Sequence, residues 1–89
     1  MKSFTTERFR KLYRELPDAV HQQARHAYRR FQENPQHPSL QFKKVHPTQP
    51  IYSARVSLEY RVLGVVDGDE IAWFWIGSNA DYDKLVGPL

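Results

Sequence analysis

The sequence predicts an α+β fold, in which an N-terminal antiparallel helix hairpin packs on one face of a four-stranded, mainly antiparallel twisted sheet, followed by a short C-terminal helical turn. Apolar residues recur at helical spacing over the first 34 residues, and they alternate or form short runs afterwards. An Asp-Gly pair separates the last two apolar runs, which is typical of a β-hairpin. Helices that precede strands favour one helical layer on one sheet. A chain of 89 residues predicts one domain, residues 1–89.

Two helices are predicted within residues 5–34. The segment Thr5-Thr6-Glu7 provides a capping residue and an early negative charge for the first helix. Its apolar positions then follow at i, i+3, i+4 and i+7: Phe9, Leu12, Tyr13 and Leu16. Pro17 ends this helix and suits the first turn of the next. The second helix has an apolar stripe formed by Val20, Ala24, Ala27, Tyr28 and Phe31, and Asn34-Pro35 ends it.

Four strands are predicted after the helices, over residues 40–45, 51–56, 60–66 and 71–76, with a bend at residues 57–59. The residues Ser78 to Asp81 predict the start of a last helical turn through Leu85, with Asn79 as its capping residue. We expect one core made from the helix stripes and the strands: Leu12, Leu16, Val20, Ala24, Phe31, Val62 and Phe74 or Trp75.

Composition indicates a cytoplasmic protein with a polyanionic partner. The chain has no cysteine, no signal peptide pattern and no apolar run of the roughly 20 residues that span a bilayer, so we expect no membrane association. Residues 1–55 carry a balance of +7 and residues 56–89 a balance of −4. A basic half favours RNA, DNA or a ribosome. The alternative is an arginine-rich helix face that is merely solvated.

The sequence contains no recognised motif for binding a small molecule or a metal ion. There is no phosphate-binding glycine loop and no HExxH motif, and the four histidines are scattered without zinc spacing. We therefore expect neither a metal nor an organic cofactor.

Four short motifs follow one another along the strand region: Tyr52-Ser53-Ala54-Arg55, Tyr60-Arg61, Asp67-Gly68 and Ile76-Gly77-Ser78-Asn79-Ala80-Asp81-Tyr82. In this order and spacing the region resembles the RelE/ParE toxin superfamily. Its members carry a YSxR motif, a YR pair six residues after its arginine, a hairpin, and an ending similar to IGSHxxY. Upstream, the link between helix and strand is also similar, at Asn34-Pro35, Pro38-Ser39-Leu40 and Phe42-Lys43-Lys44.

The resemblance implies the toxin of a type II toxin–antitoxin system, neutralised by a cognate antitoxin, and in the RelE branch an mRNA endonuclease that acts on the ribosome without a metal. It implies that Arg61 stabilises the scissile phosphate, that Arg55 assists, and that Tyr82 positions the substrate. Lys43 and Lys44 match a basic strand that grips RNA.

Each residue also has a structural alternative. Arg61 could pair with Glu59, Asp81 or Asp83, and Tyr82 could only pack the last turn against the sheet. The two lysines could be edge-strand charges that prevent aggregation.

One departure bears on catalysis. Asn79 stands where many relatives carry a histidine, and asparagine cannot shuttle a proton. His37 is then the nearest titratable substitute. We expect weakened catalysis, and two alternatives stay open: a ParE-like inhibitor of DNA gyrase, and an inactive relative that only binds an antitoxin. The sequence leaves the oligomeric state open.

Overall fold

The computed structural model describes residues 1–89 as an α+β fold with a mixed five-stranded sheet. The sheet order is β1-β5-β4-β3-β2, with β1 parallel to β5 and the other neighbours antiparallel. The elements in chain order are β1 Lys2–Thr5, α1 Glu7–Arg14, α2 Asp18–Glu33, a 3₁₀ turn Pro38–Leu40, β2 Lys43–Lys44, β3 Ile51–Arg55, β4 Tyr60–Asp67, β5 Glu70–Ser78 and α3 Asn79–Val86. None of the helices combines the length and the apolar character needed to cross a membrane.

The predicted helix hairpin is present. Thr6 caps α1, because its side-chain oxygen accepts the N–H of Phe9 at 3.1 Å. Pro17 precedes α2 as expected. The rings of Tyr13 and His21 stack at 4.3 Å, and Nε2 of His21 lies 2.6 Å from the carbonyl oxygen of Tyr13. These contacts join α1 to α2.

The prediction of four strands is wrong by one, because Lys2–Thr5 forms the edge strand β1. It pairs with the N-terminal half of β5, from Lys2 opposite Glu70 to Thr5 opposite Trp73. This segment has four residues and a single large apolar side chain, Phe4, so it shows no alternation of apolar and polar residues from which a strand could be predicted. The remaining strands match the prediction closely, except that β2 contains only Lys43–Lys44. The residues before β2 form the 3₁₀ turn instead, and Gln41 ends that turn in the left-handed region at φ 46°.

The single core predicted from the sequence is instead divided between the two faces of the sheet. The larger cluster lies under the helix hairpin and contains Phe31, Leu40, Ala54, Ile71 and Trp73. The second contains Leu63, Trp75 and Tyr82, with Leu12 and Phe74 packed against it. Neighbours such as Val62 and Leu63 alternate between faces, so the sheet residues of the second cluster lie on the opposite face, under α3. Leu12 reaches this cluster from α1.

An irregularity between β4 and β5 places the two tryptophans on opposite faces. Leu63 pairs with Trp75 and the next residue, Gly64, pairs with Trp73, which leaves Phe74 as the extra residue of a bulge. Trp73 therefore packs in the helix-face cluster and Trp75 in the other. An ideal strand would have placed both tryptophans on one face.

Candidate nucleic-acid interface

Arg61 is fixed at the start of β4 by two amide side chains. Its Nε donates to Oδ1 of Asn79 at 3.1 Å, and its Nη1 donates to Oε1 of Gln41 at 3.1 Å. Gln41 ends the 3₁₀ turn and Asn79 begins α3, so two separate elements hold the guanidinium. Both acceptors are neutral, and the positive charge of Arg61 is therefore oriented without being neutralised.

The aromatic ring of Tyr82 lies against the same guanidinium. The ring centroid lies 5.5 Å from Cζ of Arg61, within range of a cation–π contact. The hydroxyl of Tyr82 donates to Oγ of Ser53 at 3.0 Å, and Ser53 is fully buried. Tyr82 therefore both packs α3 onto the sheet and contacts Arg61.

Asn79 is not the cap of α3, which corrects the prediction. Ser78 caps this helix, since its Oγ accepts the N–H of Asp81 at 3.2 Å. The Asn79 side chain instead donates to the carbonyl of Leu58, and its backbone N–H donates to the carbonyl of Glu59 at 2.8 Å. Asn79 thus ties the loop between β3 and β4 to both α3 and Arg61. We call Arg61, Gln41, Asn79 and Tyr82 the Arg61 cluster.

No acidic side chain pairs with Arg61. The ion pairs of the structure join the N-terminus to Asp69 and His21 to Asp18, so the expected alternatives at Glu59, Asp81 and Asp83 are not formed. Arginine has five N–H donors, and two are used inside the cluster. The other three are available to an anion.

The two lysines of β2 point to different faces. Lys43 pairs with Ser53, and Lys44 pairs with Tyr52. Directly paired residues in an antiparallel ladder share a face. Lys43 therefore lies on the face of Ser53 and the Arg61 cluster, and Lys44 on the face of the helix hairpin. Both are exposed at the sheet edge, which fits either RNA contact or protection of the edge.

The other predicted residues, Arg55 and His37, form no hydrogen bond with the cluster. Arg55 faces Arg61 in the β3–β4 ladder, but its Nε donates to the carbonyl of Ser57 at 3.4 Å. Nδ1 of His37 accepts the N–H of Ser39 at 3.2 Å and lies 2.8 Å from the hydroxyl of Ser39, so His37 caps the 3₁₀ turn.

Gln41 and Ser53 were not identified as site residues from the sequence. Ser53 belongs to the YSxR motif, so the motif could have identified it as a site residue. No sequence motif contains Gln41, and its contact with Arg61 depends on the left-handed backbone at the end of the 3₁₀ turn. No group of three histidine, cysteine or acidic side chains could hold a metal ion.

Comparison with known structures identifies the fold. A chain of the RelB–RelE antitoxin–toxin complex from Methanococcus jannaschii aligns with a TM-score of 0.73 and 17% identity, over 92% of this chain and 96% of that chain. The YoeB/ParE toxin from Agrobacterium tumefaciens aligns with a TM-score of 0.70 and 14% identity, over 89% and 99%. YafQ from E. coli aligns with a TM-score of 0.70 and 11% identity, over 91% and 96%. No curated protein matches the chain by sequence.

Fold and motifs together define a small toxin of the RelE/ParE superfamily. The model of the ParE-like toxin domain matches residues 18–84, from the start of α2 to α3. The chain belongs to this family, and the superfamily expected from the sequence motifs is confirmed.

Proposed function

We propose that this chain is the toxin of a toxin–antitoxin system and acts as a RelE-like, ribosome-dependent mRNA endonuclease. The single observation that carries the proposal is Arg61, an oriented cation with three free N–H donors and no acidic partner. A planar guanidinium with free N–H groups can donate hydrogen bonds to two oxygens of one phosphate. Lys43 on the same face adds a second positive charge for the RNA backbone.

The Arg61 cluster supports charge stabilisation better than proton transfer. Cleavage of RNA by its own 2′-hydroxyl forms a bond from that oxygen to phosphorus, breaks the bond to the 5′-oxygen, and needs a base and an acid. Arg61 would stabilise the charge on the phosphoryl oxygens, and Tyr82 would position the substrate through the guanidinium that it contacts. Neither Asn79 nor Gln41 titrates. We propose that His37, whose Nδ1 is engaged by Ser39, substitutes poorly for the missing proton carrier, so cleavage is slow.

The proposed cellular partners follow from the same activity. The substrate would be mRNA bound in the ribosome, and the protein would act in the cytoplasm. A cognate antitoxin is proposed as the protein partner, because the similar M. jannaschii chain was solved in a RelB–RelE antitoxin–toxin complex.

A second candidate, a ParE-like inhibitor of DNA gyrase, is favoured by one specific observation. The Arg61 cluster contains no histidine or carboxylate that could carry a proton near neutral pH. An inactive relative that retains only antitoxin binding would share this feature.

Expression in bacteria separates these functions. We expect wild type to slow growth and to leave mRNA fragments detectable by primer extension, and Arg61→Ala to abolish both effects. Arg8→Ala, which removes an exposed arginine from α1, is the matched control and should behave as wild type. Toxicity that persists in Arg61→Ala with intact mRNA and altered plasmid supercoiling would favour gyrase inhibition. Loss of toxicity in every variant, with antitoxin binding retained, would favour the inactive relative.

A further inference from the structure

A second cationic pocket shares the loop between β3 and β4 with the Arg61 cluster. Its volume is about 250 Å³. Two arginines, one serine hydroxyl and the loop itself line it: Arg30, Ser39, Arg55, Val56, Ser57 and Leu58. The arginines come from α2 and from the end of β3, elements that are distant in sequence.

Neither arginine in this pocket is neutralised. Arg30 and Arg55 form no ion pair, although Glu33 follows Arg30 by one helical turn. Nη1 of Arg30 lies 3.4 Å from Oγ of Ser39, and Nε of Arg55 lies 3.4 Å from the carbonyl oxygen of Ser57. Each guanidinium thus engages one of its five N–H groups. Two like charges that converge without a carboxylate favour an anion between them.

The 3₁₀ turn orients the polar side of the pocket. The hydroxyl of Ser39 lies 2.8 Å from Nδ1 of His37, which also accepts the N–H of Ser39. The hydroxyl is therefore held between His37 and Arg30. This arrangement explains why Arg30, an exposed residue near the end of α2, is directed toward the loop.

The loop between β3 and β4 is a wall shared by this pocket and the Arg61 cluster. Leu58 lines the pocket, and its carbonyl accepts the side-chain amide of Asn79, which in turn holds Arg61. Arg55 and Arg61 are also directly paired across the ladder. One polyanionic chain that passes over this loop would therefore meet both sites in succession.

We infer that the pocket formed by Arg30, Ser39 and Arg55 binds a backbone phosphate of single-stranded RNA, next to the phosphate held by Arg61. This inference rests on the proposed function for the identity of the ligand. It assigns Arg55 to phosphate binding at a neighbouring nucleotide. It assigns the same role to Arg30, which lies on α2, outside the sequence motifs.

The experiment uses the full chain with two probes, a short single-stranded RNA and inorganic phosphate. RNA affinity is measured by fluorescence anisotropy over a range of salt concentrations for wild type, Arg30→Ala and Arg29→Ala. Arg29 precedes Arg30 on α2, is exposed and lies outside the pocket, so it controls for loss of one charge. Phosphate binding is followed by NMR at the backbone amides of Ser39, Arg55 and Ser57.

We expect Arg30→Ala to reduce the slope of log affinity against log salt by about 0.7, the contribution of one phosphate on a single strand. Arg29→Ala should leave the slope unchanged, and phosphate should shift the three amides in wild type but not in Arg30→Ala. Equal slopes for the two variants, with RNA bound, would overturn the inference and leave the proposed function intact. Phosphate shifts without RNA binding would support the pocket and count against the nuclease. Neither RNA binding nor phosphate shifts would overturn both.

Discussion

The hydroxyl of Tyr82 separates the structural role of this residue from its contact with Arg61. Tyr82→Phe removes only the hydrogen bond to Oγ of Ser53, because the ring that lies under the guanidinium remains. Ser53 is fully buried, so its hydroxyl loses a partner that water cannot replace. An unsatisfied buried polar group costs about 1–3 kcal/mol. For a domain of this size each kcal/mol lowers the melting temperature by about 4–8 °C.

A double-mutant cycle measured by urea denaturation tests this reasoning. We expect Tyr82→Phe and Ser53→Ala each to lower the free energy of unfolding by about 1–3 kcal/mol. The double variant should cost at least about 0.5 kcal/mol less than the sum of the two, since no unpaired hydroxyl remains. RNA affinity of Tyr82→Phe should equal that of wild type. Additive effects in the cycle, or loss of RNA binding in Tyr82→Phe, would refute the separation of the two roles.

Three further predictions concern packing, charge and proton transfer. Gly64→Ala should lower the free energy of unfolding by about 1–3 kcal/mol in thermal melts, because its Cβ would lie 2.8 Å from Cε3 of Trp73. Lys43→Ala should reduce the salt slope of RNA binding by about 0.7, and Lys44→Ala, on the opposite face, should not. Asn79→His should accelerate mRNA cleavage in a translation assay relative to Asn79→Ala, since both variants lose the amide that holds Arg61 and only imidazole titrates near neutral pH. Equal rates for the two variants would exclude this position as the missing proton carrier.

The class of the fold and most elements could be predicted from the sequence, because their signals are local. Apolar spacing and Pro17 define the helix hairpin, and the Asp67-Gly68 pair marks the turn at Gly68 and Asp69 between the last two strands. The edge strand β1 could not be predicted, since its stability comes from parallel pairing with β5 at the far end of the chain. The placement of the two tryptophans on opposite faces could not be predicted either, because it depends on the bulge at Phe74.

The candidate site was only partly predictable for the same reason. Arg61, Tyr82 and Asn79 belong to motifs, and the structure brings them together. The role of Asn79 differed from the expected cap, because Ser78 occupies that position and frees the amide to hold Arg61. The contact between Gln41 and Arg61 could not be predicted, because it depends on the left-handed backbone of Gln41 and on the tertiary fold.

Translation-coupled cleavage of mRNA by the purified protein tests the nuclease assignment most directly. In a reconstituted translation system, we expect wild type to cut mRNA within the translated region only while ribosomes occupy it. Arg61→Ala should lower the cleavage rate by about 10² to 10³, the usual loss for one contact to a developing charge. Arg8→Ala should retain the wild-type rate. Intact mRNA under these conditions, with inhibition of purified DNA gyrase by the same protein, would contradict the assignment and favour the gyrase inhibitor.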